Sequence, residues 1–292
     1  MRSIHPAACV DSRAELGDDV QIGPHCYVGP DVTIGDGCKL HHNVTVVGKT
    51  VLGNNNELLP GVVLGTPPQD LKYRGGLTSL VIGDDNVFRE HVTAHPGTEL
   101  GGAITRIGNH NRFLVATHVA HDVTVGSHCI LANGVQIAGH CHIEDCVTIG
   151  GMVGLHHFCT IGKHSYVAGL TRVTVDAPPF MIFAGYAGRV RGVNVNGMSR
   201  WGFDQQSIDR LRWAYKLLFS RRAQAEGNNL LEKIAYIESN GQLDENLEYL
   251  LAFLKRSIID GVYGRYRESL RRDTIDDRAR FYRDYRHDRE SP

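Results

Sequence analysis

The chain has 292 residues, 42% of them hydrophobic and 22% charged, which is enough apolar material for a large buried core and too much for a disordered chain. Its 31 basic and 32 acidic side chains leave a formal net charge of −1, so no global field draws nucleic acid or an anionic membrane, and an acidic partner would need a local basic patch. No segment approaches the roughly 18 uninterrupted apolar residues of a membrane span, and the start MRSIHPAACVDSRAELG has no apolar run suited to a signal peptide, so the expected location is cytoplasmic.

From Val10 the chain repeats in sixes. Val10, Leu16, Ile22, Val28, Ile34, Leu40, Val46, Leu52, Leu58 and Leu64 are all aliphatic. The phase continues through Ile82, Phe88 and Ala94, shifts once, and then runs from Ile107 through Phe113 and Val119 to Val173. The next residue is often Gly, and the side chain two places earlier is usually small. A period of six fits neither a helix nor a simple hairpin, and the glycines recur too often for helix interiors. It does fit a short strand followed by a corner. Three such sides close a triangular coil of 18 residues, and coils stacked at the ordinary strand spacing of ~4.8 Å satisfy one another's backbone. The aliphatic points inward, and a narrow lumen explains the small second inward residue. Five of the seven cysteines, Cys26, Cys38, Cys129, Cys141 and Cys159, occupy that small slot, while Cys9 and Cys146 form no CxxC pair, so they read as core thiols.

The coils are expected over residues 1–180, with loops at 66–81 (TPPQDLKYRGGLTSLV) and 95–106 (HPGTELGGAITR) where the repeat loses its aliphatics or its phase. Residues 181–203 read as an extended Pro/Gly-rich crossing segment. Apolar residues at helical spacing, among them Ile208, Leu211, Tyr215, Leu218, Ile234, Leu247 and Leu251, predict an α-helical domain over 204–260. Residues 261–292, dense in mixed charge, read as a solvated helix or frayed tail.

The stretch THVAHDVTVG, 117–126, carries the first chemical signal. His121 follows the inward Val119 by two residues and should project outward at a corner. One coil later come Gly139 and His140, and one coil after that His156 and His157, so the fold stacks imidazoles that are far apart in sequence. His118 and His121 could instead belong to a metal site, because outward histidines hold zinc in γ-class carbonic anhydrases. Their three-residue gap resembles neither that ligand spacing nor HExxH.

The repeat itself resembles the left-handed parallel β-helix of the hexapeptide-repeat acyltransferases, and the handedness is implied by that resemblance. More specifically, QDLKYRG (69–75), HVAHDVTVG (118–126), CILANGVQIAGH (129–140), IGGMVGLHHFC (149–159) and RGVNVNGMSRWGF (191–203) resemble the acyl-carrier-protein:UDP-N-acetylglucosamine O-acyltransferases, the family that begins lipid A biosynthesis. The resemblance covers residues 1 to about 255 and implies a mainly β protein with a small helical C-terminal domain. It implies His121 as general base, Asp122 as its orienting carboxylate and Gly139 as the oxyanion donor through its N–H. It implies Asp70, Lys72 and His140 around the sugar and the reacting centre, and Asn194 and Arg200 at the nucleotide. His118 and His156 are further candidates for substrate contact. Where better-known members carry Gln and Glu, this chain has His157 and Asn196, so its nucleotide contacts differ there. Gly169 matches an acyl-chain ruler that glycine leaves open, implying a long 3-hydroxyacyl chain.

By the same resemblance the enzyme needs no metal or bound cofactor, takes its acyl group from acyl carrier protein, and works as a homotrimer. Arg172, Arg189, Arg191, Arg200, Arg221 and Arg222 are candidates for the patch that docks the acidic carrier. Other readings are a hexapeptide acyltransferase with a 3-amino sugar acceptor or an acetyl-CoA donor, a carbonic-anhydrase-like metal enzyme, and a non-catalytic binding solenoid.

Overall fold

In a computed structural model, which describes residues 2–220, 223, 229–277 and 279, the chain forms a left-handed parallel β-helix followed by helices. Three sheets of 11, 9 and 8 strands make the faces of the prism. Most strands are two residues long, and each pairs in parallel with a strand 18 residues further on, as Tyr27 does with Thr45 and Gln136 with Gly154. The lumen is filled by the six-residue aliphatics: Val28, Leu58, Phe113, Ile137 and Val167 are fully buried and belong to one continuous core. The five cysteines of the small slot are buried with them. Burial pushes the Cys129 and Cys141 thiols up to about 12, which leaves them un-ionised at neutral pH.

The offset between neighbouring coils widens from 18 to 30 residues between Val63 and Thr93, and to 25 between Thr93 and His118. Both insertions leave the same edge of the prism, where the nine-stranded sheet turns into the eight-stranded one. They are shorter than the sequence suggests. Ser79–Ile82 and Ile104–Ile107 are strands, paired with each other, so residues 79–81 and 104–106 belong to the coils. Leu80 and Thr105 are buried inward residues that a count of aliphatics in sixes passes over.

A polar ladder runs inside the apolar lumen. At three successive coils the small slot holds Asn56, Asn86 and Asn111, all buried. Asn56 Oδ1 accepts from the Asn86 N–H and Nδ2, Asn86 Oδ1 from the Asn111 N–H, and Asn111 Oδ1 from the Cys129 N–H, at 2.7–3.0 Å. Each amide thus replaces a missing corner hydrogen bond of its neighbour.

The two ends of the prism differ. At the start, Arg2 lies across the outermost coil and donates to the carbonyls of Leu16 and Gly17. At the other end, Met181–Ala184 extends the large sheet in parallel beside Tyr166–Val167 and then pairs antiparallel with Arg189–Val193. The segment expected as a plain extended crossing therefore prolongs the coils, folds back on them, and ends in a helix, α1 (Val195–Arg200), capped by Asn194 accepting from the Gly197 N–H. Helices α2 (Gln205–Leu218), α3 (Leu230–Asn240) and α4 (Glu245–Lys255) follow. Their apolar faces join Phe180 and Met181 in a second core that seals the prism. Beyond a π turn at Arg256–Asp260 comes a short helix, α5 (Tyr266–Ser269), which packs back on the coils where a solvated helix or frayed tail was expected.

Replacing Asn86 with Val, the residue the slot carries elsewhere, removes the acceptor for the Asn111 N–H and one donor to Asn56. We expect a loss of about 1–3 kcal/mol in unfolding free energy, read from denaturant midpoints; an unchanged midpoint would show the ladder to be dispensable.

Candidate active site

The strands His118–Val119 and Thr124–Val125 meet at the edge that carries both insertions. Val119 is inward and buried; three residues on, Asp122 takes a left-handed backbone conformation, φ 58°, to turn the corner. The turn lays the His121 ring outside the lumen against the next coil. There a Cβ on Gly139 would stand 2.4 Å from His121 Cε1 and 2.6 Å from Nε2, so only glycine lets the ring lie this close to the backbone. Among the described residues the Gly139 N–H meets no acceptor.

His121 Nδ1 is 2.9 Å from Asp122 Oδ2. The carboxylate is in turn held by the second insertion: the Thr98 N–H donates to Oδ1 at 2.9 Å and the Thr98 hydroxyl to Oδ2 at 2.6 Å. Side chains at Gly97 or Gly101 would collide with that carboxylate, so the glycines of HPGTELGG let the loop close over it. The Asp122 N–H donates to Thr105 Oγ1. Burial by itself would raise the Asp122 carboxyl, but the hydrogen bonds from His121 and Thr98 outweigh it and hold the group below the usual carboxylate range. An ionised Asp122 fixes the imidazole proton on Nδ1, leaving the Nε2 lone pair to accept a proton.

The first insertion adds the other charges. Asp70 Oδ2 lies 3.9 Å from His121 Nε2 and 3.5 Å from Lys72 Nζ. His140 meets the His121 ring edge-on at 5.0 Å and stacks flat on Phe158 at 4.4 Å. Burial, opposed in part by Asp122, lowers His140 to about 4, so it is neutral at pH 7. His118 donates to or accepts from Thr93 Oγ1 at 2.8 Å, and burial followed by the fields of His95 and His121 takes it to about 4. His156 and His157 stand one coil above His140, with rings perpendicular at 5.6 Å; both reach solvent, but the protein packed along one side of the His157 ring partly desolvates it, and this, then His156, lowers His157.

Three predicted residues lie on the edge where the eight-stranded sheet passes into the large one. Asn194 Nδ2 donates to the His164 carbonyl there, and Asn196 and Arg200 are exposed on α1 beside it. Gly169 lies on the third edge, where its Cβ would sit 3.2 Å from the Gly151 carbonyl, next to exposed Leu170. Within one chain none of these four reaches His121. Arg172, Arg189 and Arg191 are exposed, whereas Arg221 and Arg222 lie outside the described residues.

His121, Asp122 and His140 offer ligand atoms within 4.8 Å of one another. A metal taken through His121 Nδ1 and Asp122 Oδ2 would break their 2.9 Å hydrogen bond and compete with the Thr98 hydroxyl for that oxygen, so at these two atoms the geometry favours a hydrogen-bonded dyad. Thr98, Thr105 and Phe158 carry parts of this site that sequence reasoning missed; the paired glycines of the second insertion were the available hint.

The six-residue coils are those of a hexapeptide-repeat protein, and the family model described as bacterial transferase hexapeptide (six repeats) matches residues 13–48 and 31–66. A second family model, UDP N-acetylglucosamine O-acyltransferase, domain 2, matches residues 176–262. The acyl-acyl-carrier-protein–UDP-N-acetylglucosamine O-acyltransferase of Anaeromyxobacter sp. (strain Fw109-5) is 43% identical over 71% of this chain and 79% of its own, and that of Stenotrophomonas maltophilia (strain K279a) is 40% identical over 87% and 95%. Among solved structures, LpxA from Acinetobacter baumannii superposes with a TM-score of 0.78 at 42% identity, covering 88% of this chain and 95% of its own. LpxA from Bacteroides fragilis, a UDP-N-acetylglucosamine acyltransferase, superposes at 0.82 with 33% identity over 86% and 96%. The chain belongs to the acyl-acyl-carrier-protein–UDP-N-acetylglucosamine O-acyltransferase family.

His118, His140 and His142 are each lowered to about 4, His142 by burial and then by Arg267 and Arg256. Between that value and the unfolded one of about 6.5, the unfolded chain binds protons that the folded chain refuses. Stability is therefore fully present above pH ~6.5 and falls as the pH drops toward 4. Urea midpoints at three pH values should decline over that window, and a flat profile would contradict the buried neutral rings.

Proposed function

We propose that the chain moves an (R)-3-hydroxyacyl group from acyl carrier protein to the 3-hydroxyl of UDP-N-acetylglucosamine, opening lipid A biosynthesis in the cytoplasm. The observation that carries this reading is the free Nε2 of His121, oriented through Nδ1 by Asp122 and lying against the Gly139 backbone. Nε2 takes the proton of the sugar 3-hydroxyl as its oxygen attacks the thioester carbonyl carbon. The carbonyl oxygen becomes an oxyanion that the Gly139 N–H stabilises. Collapse of the intermediate re-forms the carbonyl, breaks the C–S bond and expels the pantetheine thiolate, which recovers the proton from Nε2. Asp70, Lys72 and His140 surround the sugar, with His118, His156 and His157 along its approach. The chemistry consumes no redox equivalent, and we assign no metal or cofactor to it.

The nucleotide contacts suggest how the protein assembles. Asn194, Asn196 and Arg200 occupy one edge of the prism, His121 another and Gly169 the third, so a pocket that uses all of them is built between neighbouring chains. A homotrimer with three such grooves satisfies this. Exposed Arg172, Arg189 and Arg191 support a basic approach for an acidic carrier protein. We read residues 1–180 as the catalytic solenoid, 181–203 as its closing segment, and 204–260 as a helical domain.

With UDP-N-acetylglucosamine and a 3-hydroxyacyl carrier protein, His121→Ala should lower kcat by about 10²–10⁴ while sugar-nucleotide binding by calorimetry persists. Full activity in that variant would remove the base. Chains carrying His121→Ala and chains carrying Arg200→Ala, each of low activity alone, should recover about one quarter of wild-type activity when co-expressed in equal amounts, as random mixing at a shared site requires. The absence of recovery would argue against a pocket composed of two subunits.

A further inference from the structure

The family model's match ends at residue 262, and the Stenotrophomonas relative is covered over 95% of its length by only 87% of this chain. The segment that follows residue 262 nevertheless folds onto the candidate site. Its root is firmly tied. Asp176, buried, accepts the Thr160 N–H on Oδ1 at 2.7 Å and both the Ser257 hydroxyl and the Tyr266 N–H on Oδ2 at 2.8 and 2.9 Å. Its own N–H donates to the Gly264 carbonyl. Arg265 donates to the Thr174 carbonyl at 2.8 Å, and Arg267 to that of His140 at 2.8 Å.

The tip is held differently. Leu270 is 55% exposed, and among the described residues no apolar side chain pins the chain beyond α5. Arg271 instead lays its guanidinium over Phe158, 5.2 Å from the ring centre, capping the column of rings that runs through His140 to His121. Arg271 also binds Asp273, whose Oδ2 accepts from Lys72 Nζ at 3.0 Å. The Asp273 side chain is 5% exposed and takes up the cation that would face an incoming sugar. The cavity left under the segment, bounded by Lys72, Gly101, His140, Phe158, Arg267 and Asp273, measures about 160 Å³. Ligand pockets usually span roughly 300–1,000 Å³, so a nucleotide sugar does not fit beneath it.

We propose that residues 263–273 form an autoinhibitory strap in which Asp273 occupies Lys72 in place of the acceptor sugar, and substrate enters by displacing the tip about the root at Asp176. This rests on the acyltransferase reading of the site. The attraction between Lys72 and Asp273 is largely offset by taking both groups out of water, so the pair holds such a tip closed by a factor of only a few, which allows a hydroxyl- and phosphate-bearing ligand to compete.

The test uses the full-length chain with Asp273→Asn and, separately, Arg271→Ala, each checked for native circular dichroism. Two quantities are read: kcat/KM for UDP-N-acetylglucosamine, and the rate at which diethyl pyrocarbonate modifies His121, followed by peptide mass spectrometry. Both should rise about three- to five-fold in both variants, the first through a lower KM. If either quantity is unchanged or falls, Asp273 is not a barrier and the strap is overturned. If modification of His121 accelerates while no form of the protein transfers acyl groups, site closure stands and the acyltransferase reading fails alone.

Discussion

The molecule depends on the parallel hydrogen-bond ladder between successive coils. With most strands only two residues long, each coil donates to and accepts from its neighbours at fixed positions, 18 residues away except across the two insertions, and the register cannot slip without turning inward aliphatics outward. That rigidity is what lets residues distant in sequence act together. His121, His140 and Phe158 share one edge because they occupy equivalent corners of three coils, and Gly139 meets the His121 ring for the same reason. A corner made this way needs no flexible closure to bring the His121 ring against the Gly139 backbone.

Onto this frame the two insertions deliver what a regular coil cannot. A coil corner offers a ring and an N–H but has no means of desolvating and fixing a carboxylate. The second insertion supplies Thr98 and close-packed glycines for Asp122, and the first supplies Asp70 and Lys72. Removing Asp122 from water costs free energy that three hydrogen bonds to its oxygens offset, leaving it ionised beside a neutral His140.

Much of this was legible in the sequence, for identifiable reasons. The period of six is a packing requirement, so Val10 to Val173 announce the lumen directly, and coil arithmetic alone brings Gly139 and His140 to His121. Loop boundaries were less legible, because Leu80 and Thr105 obey the inward alternation without occupying the aliphatic position that marks the count. The asparagine ladder was also invisible: Asn56, Asn86 and Asn111 look like turn residues until the coils are stacked. The C-terminal charges misled most. Arg265, Arg267 and Asp273 read as a solvated surface, yet they find partners in Thr174, His140 and Lys72, contacts that span up to 201 positions and leave no local signature.

The unequal ends of the prism carry a consequence for the protein in solution. One end is sealed by a reversed strand and a helical core, but the outermost coil at the other end presents backbone groups in the geometry that welcomes another parallel strand. Arg2, donating to the carbonyls of Leu16 and Gly17, covers part of that template with a hydrated charge. A parallel strand arriving at that rim would have to displace the Arg2 guanidinium from both carbonyls before it could pair.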